Sequence, residues 1–324
     1  MKVLQIVTSF PRDDWPRNGF IKSQIDSLSK IGVDIDVFQI NNPPRKINYL
    51  LSFFRFRKLI STKQYDLIHA HYIYPGITAI SQRKVPVLFS YMGSEILGTP
   101  NRNGKITLIG YLNIFLSKML QFLVDRIIVK SDNLLEQLTL KHKAHVIPNG
   151  VNYKIFKPID KKDCRKELGL SQESKIILFL GRLNDPRKNY ALAKSAVKRL
   201  NESEIEDYVL LSPDSILPEE VPIYLNASNI LLHTSLWEGS PNLIKEAMAC
   251  NIPIVSTDVG DVKKVIGNTA GCFLTNFDDE SVSKSILEAF NFHNRTNGRN
   301  DISHLEIEKV AYQIKDIYEE MLLK

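Results

Sequence analysis

The stretch that most limits the fold is residues 230–261, ILLHTSLWEGSPNLIKEAMACNIPIVSTDVGD, in which an apolar run, a polar loop, a helical segment and a second apolar run follow closely. That order predicts a strand, a helix and a second strand, the unit from which parallel sheets are built. Pro241, with its preset φ and no N–H, suits the first helical position behind a Ser240 cap. The helix is expected to run to about Cys250. Asn251 tolerates the left-handed conformation that ends many helices, and Pro253 prevents resumption. Residues 254–256 then form a buried strand. The helix start therefore lies beyond the carboxyl end of the preceding strand, where unpaired N–H groups and the helix dipole favour an anion such as phosphate.

Two carboxylates have fixed places in this stretch. Glu238 precedes the helix and Glu246 lies about five residues inside it, roughly 7 to 8 Å further along at about 1.5 Å per residue. Taken alone, acids at a helix start also merely suit its dipole. The phrase Glu238-Gly-Ser-Pro-Asn-Leu-Ile-Lys-Glu246-Ala-Met-Ala, followed by Pro253-Ile-Val-Ser-Thr and Gly260, resembles the signature of glycosyltransferase family 4, retaining enzymes of the GT-B fold. The resemblance implies that Glu238 faces the donor sugar and Glu246 binds the ribose of the nucleotide. It also implies donor contacts at Gly239, Ser240, Pro241, Asn242 and Leu243.

A second motif precedes this one. A strand is expected over 175–180, then Gly181-Arg182-Leu183, a turn at Asp185-Pro186, and Lys188 before Asn189, a candidate cap for a helix over 190–200. Cations flanking a glycine turn after a strand can neutralise a departing diphosphate. The resemblance gives that role to Arg182 and Lys188.

The first half opens with a strand over 2–7, a loop over 10–19 and a helix over 20–31. It lacks G-x-G-x-x-G, so no dinucleotide fingerprint is present. In the family this loop carries a Gly-Gly pair; here it is Asn18-Gly19, which leaves Gly19 as the donor contact. Asp34 and Asp36 share one face of the strand over 33–39 and read as a solvated outer face, not as a metal-binding D-x-D. The strand over 65–70 ends in HAHYIYPG, where the resemblance places His71 beside donor sugar and acceptor and leaves His69 packed inside. Met92 stands where the family often has His. Residues 43–63 are basic and aromatic, fitting either a helix lying on a membrane or an ordinary domain helix. Residues 106–124 are apolar but interrupted by Asn113, Lys118 and Gln121, which predicts a buried helix, not a membrane span.

Strands over 126–130 and 145–148 complete this half. Asn149 to Pro158 resembles the family's passage between domains, which places the domains at 1–157 and 158–324, the last helix crossing back to the first domain as in GT-B. Residues 208–229 are too short for the two strand–helix units the family usually has there, so the second domain is expected to be shortened. Asp261 replaces a usual second Gly, and Lys263-Lys264 stand where Glu is common.

Composition bounds the rest. A chain of 324 residues, 44% of them hydrophobic, supports two cores. Cys164, Cys250 and Cys272 lack disulfide or metal spacing and fit a reducing cytosol, and the N-terminus is too short in apolar residues for a signal peptide. Residues 1–155 carry 21 Lys and Arg against 10 Asp and Glu, whereas 156–324 carry 21 against 26, so the first half is the one an anionic surface would attract.

The expectation is therefore an α/β chain of the GT-B type, two doubly wound Rossmann-like domains facing a central cleft. As implied by the resemblance, it moves a sugar from a nucleoside diphosphate donor to an acceptor hydroxyl with retention, without metal or cofactor, in surface polysaccharide or glycolipid assembly. The partners expected are the nucleotide sugar, a saccharide or lipid-linked saccharide acceptor and an anionic membrane touched peripherally from the cytoplasm, with no nucleic acid. A nucleotide-sugar-binding subunit without transfer, and a GT-B-fold epimerase, are the alternatives.

Overall fold

A computed structural model describes all residues except 10–18, 43–44, 46, 99–105, 204–206, 215 and 324. The chain divides into two compact units, one built of residues up to Gly150 together with Ile307–Lys324, the other of Val151–Glu306. Val151, ahead of position 157, already belongs to the second: its N–H bonds Leu305 O and its side chain lies in that unit's core.

The first unit runs β1 (Lys2–Val7), α1 (Gly19–Lys30), β2 (Asp34–Gln39), α2 (Ile47–Thr62), β3 (Leu67–His71), α3 (Ile73–Ala79), β4 (Val87–Ser90), α4 (Ser94–Leu97), α5 (Leu108–Leu120), β5 (Arg126–Val129), α6 (Asp132–Glu136) and β6 (Ala144–Val146). The six strands are all parallel, in the order β2-β1-β3-β4-β5-β6. Alternation along the strands feeds two layers. Leu4, Ile6, Ile68, Phe89 and Ile127 face one core; Val3, Leu67, Leu88 and Ile128 face the other.

The second unit runs α7 (Lys161–Glu167), β7 (Lys175–Leu178), a 3-10 turn (Pro186–Lys188), α8 (Tyr190–Ser203), β8 (Tyr208–Leu211), α9 (Val221–Ala227), β9 (Ile230–His233), α10 (Asn242–Ala249), β10 (Ile254–Thr257), α11 (Val262–Ile266), β11 (Cys272–Thr275), α12 (Asp279–Asn291) and α13 (Gly298–Asp301). Its five parallel strands follow the order β11-β10-β9-β7-β8. A single strand and one short helix, β8 and α9, fill the segment the sequence marks as shortened. The C-terminal helix α14 (Ile307–Leu322) belongs to the first unit, where Ile314, Ile317 and Tyr318 cover the Val3 layer.

The helix over 106–124 is not the buried one expected. Gly110, Ser117 and Leu120 of α5 face inward, while Leu108, Leu112 and Phe115 are 86%, 54% and 60% exposed. Of the polar interruptions, Gln121 lies on the inner face, where it accepts from the N–H groups of Thr139 and Leu140, and buried Ser117 Oγ donates to Glu95 O, whereas Lys118 is exposed.

Candidate functional site

The second sheet reverses direction around β7: the chain leaves it outward to β8, then returns to place β9 on its other side. Loops leaving the carboxyl ends of two such strands diverge, which makes this the crevice where open parallel sheets hold ligands.

The loop after β7 is shaped by its own sequence. Asp185 accepts the Arg187 N–H at 3.0 Å and caps the 3-10 turn, and Asn189, at φ 52°, closes it in the left-handed conformation without capping α8 through its side chain. The loop after β9 is stitched to it: Leu236 N–H donates to Arg187 O at 2.8 Å, and Thr234 Oγ1 lies 3.1 Å from Lys188 O and 3.0 Å from Asn189 O. This joins the two cations of one loop to the acid of the other. Lys188 Nζ lies 2.6 Å from Glu238 Oε1, and Arg187 Nη1 lies 2.8 Å from Glu238 Oε2. Ser235 Oγ donates to Glu238 Oε1 at 3.1 Å and is 3.1 Å from His233 Nε2, whose Nδ1 lies 3.0 Å from Ser256 Oγ.

Burial works to raise the Glu238 pKa, but His233, Lys188 and Arg187 overcome it and hold the carboxyl well below the usual range. His233 moves down through burial, so it is neutral near neutral pH. Gly260 supports the same loop. At φ 61°, a Cβ there would meet Gly239 O at 2.7 Å and Glu238 O at 2.9 Å, so only glycine lets the two backbones approach.

The start of α10 differs from expectation. Pro241 is the N-cap residue, with φ −69° and ψ 119°, and no side chain caps the helix. Ser240 is not its cap, because its hydroxyl donates to Asp261 Oδ2 at 2.6 Å and takes a hydrogen bond from Lys245 Nζ. Lys245 is itself 3.4 Å from Asp261, both buried. Asp261, where a second glycine was the norm, brings the carboxylate that redirects Ser240. Asn242 and Leu243 form the first turn beside Gly239. Glu246, half-buried on α10, has no side-chain partner among the described residues, and burial pushes it up to about 7 against the pull of Lys245.

Among the expected site residues of this unit, Glu238 and Lys188 are thus in contact. Arg182 is exposed, and its side chain makes no hydrogen bond or ion pair among the described residues. Arg187, which sequence reading missed, joins Lys188 at the carboxylate; the signal available was a second cation beside Lys188 in the Asp-Pro-Arg-Lys turn. His233, Ser235, Lys245 and Asp261 were missed too, being ordinary strand-end and helix residues in isolation.

In the first unit the corresponding reversal lies between β1 and β3. His71 ends β3, fully buried, with Nε2 2.8 Å from Gln5 Oε1. Gln5 Nε2 donates to Tyr318 Oη at 2.9 Å, Tyr318 Oη is 2.7 Å from His69 Nδ1, and His69 Nε2 is 2.7 Å from Ser90 Oγ. His71 Nδ1 has no hydrogen-bond partner among the described residues. Burial and the Lys130 charge push His71 down to about 3, and burial with His71 and Lys130 holds His69 well below the ordinary imidazole range, so both rings are neutral. Tyr72, next in the chain, sits at φ 70°, a strained conformation for a tyrosine. Gly19 begins α1; Asn18 lies outside the described residues. Met92 N–H donates to Glu95 at 2.6 Å, and Asp36 accepts from Tyr65 Oη at 2.7 Å and Lys63 Nζ at 3.1 Å.

Residues 5–154 match the family described as Glycosyltransferase Family 4, and residues 205–291 match Glycosyl transferases group 1. An Escherichia coli UDP-Gal:alpha-D-GlcNAc-diphosphoundecaprenol alpha-1,3-galactosyltransferase is 24% identical, the match covering 82% of this chain and 78% of that one. An uncharacterized glycosyltransferase of Methanocaldococcus jannaschii is 27% identical over 86% of this chain and 82% of its own. Among solved structures, sucrose-phosphate synthase from Thermosynechococcus elongatus superposes with a TM-score of 0.79 at 18% identity, covering 99% of both chains. Anabaena HepE in complex with UDP and glucose superposes with a TM-score of 0.74 at 16% identity, covering 99% of this chain and all of that one.

Proposed function

We propose, from the premise that this chain belongs to glycosyltransferase family 4, that it moves a sugar from a nucleoside diphosphate to an acceptor hydroxyl with retention of anomeric configuration. Its pair of parallel sheets is the GT-B fold, and its activity class is nucleotide-sugar-dependent glycosyl transfer.

The observation that carries the residue assignment is the buried Glu238 carboxylate shared between Arg187 and Lys188 at the sheet reversal. Arg187 also lies 3.4 Å from Asp185, so two cations balance two carboxylates here and an incoming diphosphate competes with those carboxylates for them. In this reading the diphosphate takes over part of that pairing, with the uncapped start of α10 (Gly239 to Leu243) as its second seat. Arg182 is exposed and available to it. Glu238 then presents an ionised oxygen to the sugar. Held well below the ordinary carboxyl range, it has no proton to give near neutrality, and acts as an acceptor and as a charge opposite the developing cation.

The bond between the anomeric carbon and the phosphate oxygen breaks, the bond to the acceptor oxygen forms on the same face, and the acceptor proton leaves on the departing phosphate. A double displacement needs a carboxylate nucleophile with an acid/base partner about 5 Å away. An acid stabilised as an anion by two cations is a weak nucleophile, which favours the single-step route. Arg187 and Lys188 supply the neutralisation, so the reading requires no metal.

Glu246 is assigned the ribose, His71 keeps the place beside donor sugar and acceptor, and Gly19 the donor contact, that the resemblance gives them. The acceptor is proposed to be a saccharide on a lipid carrier, in surface polysaccharide or glycolipid assembly, supported by the diphosphoundecaprenol in the name of the E. coli relative. The test is a panel of labelled UDP, GDP and ADP sugars, with and without membrane extract. Label entering the lipid fraction only with extract supports the reading. Product without acceptor indicates an epimerase, and binding without turnover a donor-binding subunit.

A further inference from the structure

The outward face of α5 has the polarity that burial rules reserve for the inside. Leu108, Leu112, Phe115, Met119 and Phe122 recur at steps of four and three, which puts them on one helical stripe, and each is 48% to 86% exposed. The small and polar residues Gly110, Ser117 and Gln121 point the other way, into the unit. In water such a helix would be turned around; contiguous apolar patches of this kind mark an interaction surface.

Charge identifies the occupant. Residues 106–124 contain no Asp or Glu. Lys118 is exposed on α5, Arg83 reaches the helix end through Leu123 O at 3.2 Å, and Lys143 binds Gln121 O and Val124 O at 3.3 and 2.9 Å. The helix packs on α3, whose exposed Tyr74 touches Tyr49 of α2 with ring centroids 5.2 Å apart. On α2, exposed Ile47, Leu50, Leu51 and Phe54 repeat the pattern one helix over, ending in exposed Arg57 and Lys58. Apolar stripes rimmed by cations match the boundary between acyl chains and anionic headgroups. At 13 residues α5 is about 20 Å long, short of the roughly 30 Å hydrocarbon core, so it fits lying in the boundary and not spanning it.

We propose that α5, flanked by α2, is a membrane-docking helix that sinks its Leu108–Phe122 stripe into the surface of an anionic bilayer. This uses only the surface of the first unit and does not depend on the transfer reading.

The test is sedimentation of the full chain with vesicles of phosphatidylcholine containing phosphatidylglycerol, or of phosphatidylcholine alone, at low and high salt, alongside light scattering of lipid-free protein. The wild type should bind the anionic vesicles preferentially. Leu112→Glu/Phe115→Glu should weaken binding more than about tenfold, and Arg83→Gln/Lys118→Gln about fivefold per charge. Both substitutions are on exposed positions, and an unchanged melting temperature and nucleoside diphosphate affinity show that the fold is intact; Leu112→Ser/Phe115→Ser serves if it is not. Wild-type binding that the α5 variants leave untouched overturns the proposal. So does failure of the wild type to bind, or a lipid-free dimer that Leu112→Glu/Phe115→Glu dissociates, which assigns the face to a second copy.

Discussion

Replacing Glu238 by Gln keeps the shape of the side chain and removes the charge on which Arg187 and Lys188 converge. Contacts of 2.6 and 2.8 Å to a carboxylate that is 9% exposed are each worth about 1.5 to 3 kcal/mol as charged hydrogen bonds. The cations, however, are 35% and 20% exposed and regain water once released. The net stability cost should therefore be about 1 to 2 kcal/mol, a fall in melting temperature of roughly 3 to 6 °C.

The effect on transfer should be much larger. A preorganised group aimed at transition-state charge is worth about 10² to 10³ in rate. Nucleoside diphosphate affinity should hold or rise, since the phosphate no longer competes with a carboxylate for the cations. Sugar transfer to a membrane-extract acceptor, calorimetric titration with the nucleoside diphosphate and thermal melting separate the three effects.

The pH dependence follows from the depressed pKa. Stability from ionised Glu238 is present above its ordinary value of 4.5 and is lost as the pH falls towards the much lower native value, so the melting gap between wild type and variant should close in acid. Transfer within threefold of wild type, or diphosphate binding lost together with transfer, would refute the reasoning. The first outcome denies Glu238 a role in the transition state, and the second makes it a prop for the shape of the site.

Arg187→Ala and Lys188→Met should each weaken nucleoside diphosphate binding by about 10- to 100-fold, and exposed Arg182→Ala by less than about fivefold; calorimetry showing the reverse order would reinstate Arg182 as the main clamp. Lys245→Met leaves Asp261 buried beside Ser240 without its cation, at a cost of about 3 to 5 kcal/mol, or roughly 10 °C in melting temperature. Most of that loss should return in Lys245→Met/Asp261→Asn, and a double variant no better than the single one counts against the pair. Glu246 is raised from 4.5 to about 7, so the wild type loses stability as pH rises through that interval, and Glu246→Gln should be the more stable protein at pH 8 but not at pH 4. The difference should be about 2 kcal/mol, after discounting for partial exposure, and equal melting curves at pH 8 would show that the carboxyl is well solvated.

Much of this was readable residue by residue. Asn251 takes the left-handed conformation expected of it, at φ 58°, and β1 and β9 span the runs read as strands. The E-x7-E phrase put Glu238 ahead of a helix and Glu246 within it, and both are there. The reading failed where the answer depended on a distant residue. Ser240 has the chemistry of a helix cap and follows Asp261 instead. Gln121 signalled interruption when it belongs to the inward face, because a periodic stripe shows which residues share a side without saying which side water takes.

The sequence by itself determined what short-range forces decide: φ preferences, strand and helix periods, and the succession of βα units that makes both sheets parallel. Only the tertiary structure decided that Arg187 joins Lys188 on Glu238, and that α5 turns its apolar face outward. Side chains some fifty residues apart meet because β9 docks beside β7, and the inner surface of a helix is whatever the neighbouring layers leave for it to fill. Neither is encoded in any one stretch of chain, since both are set by how the strands and helices pack together.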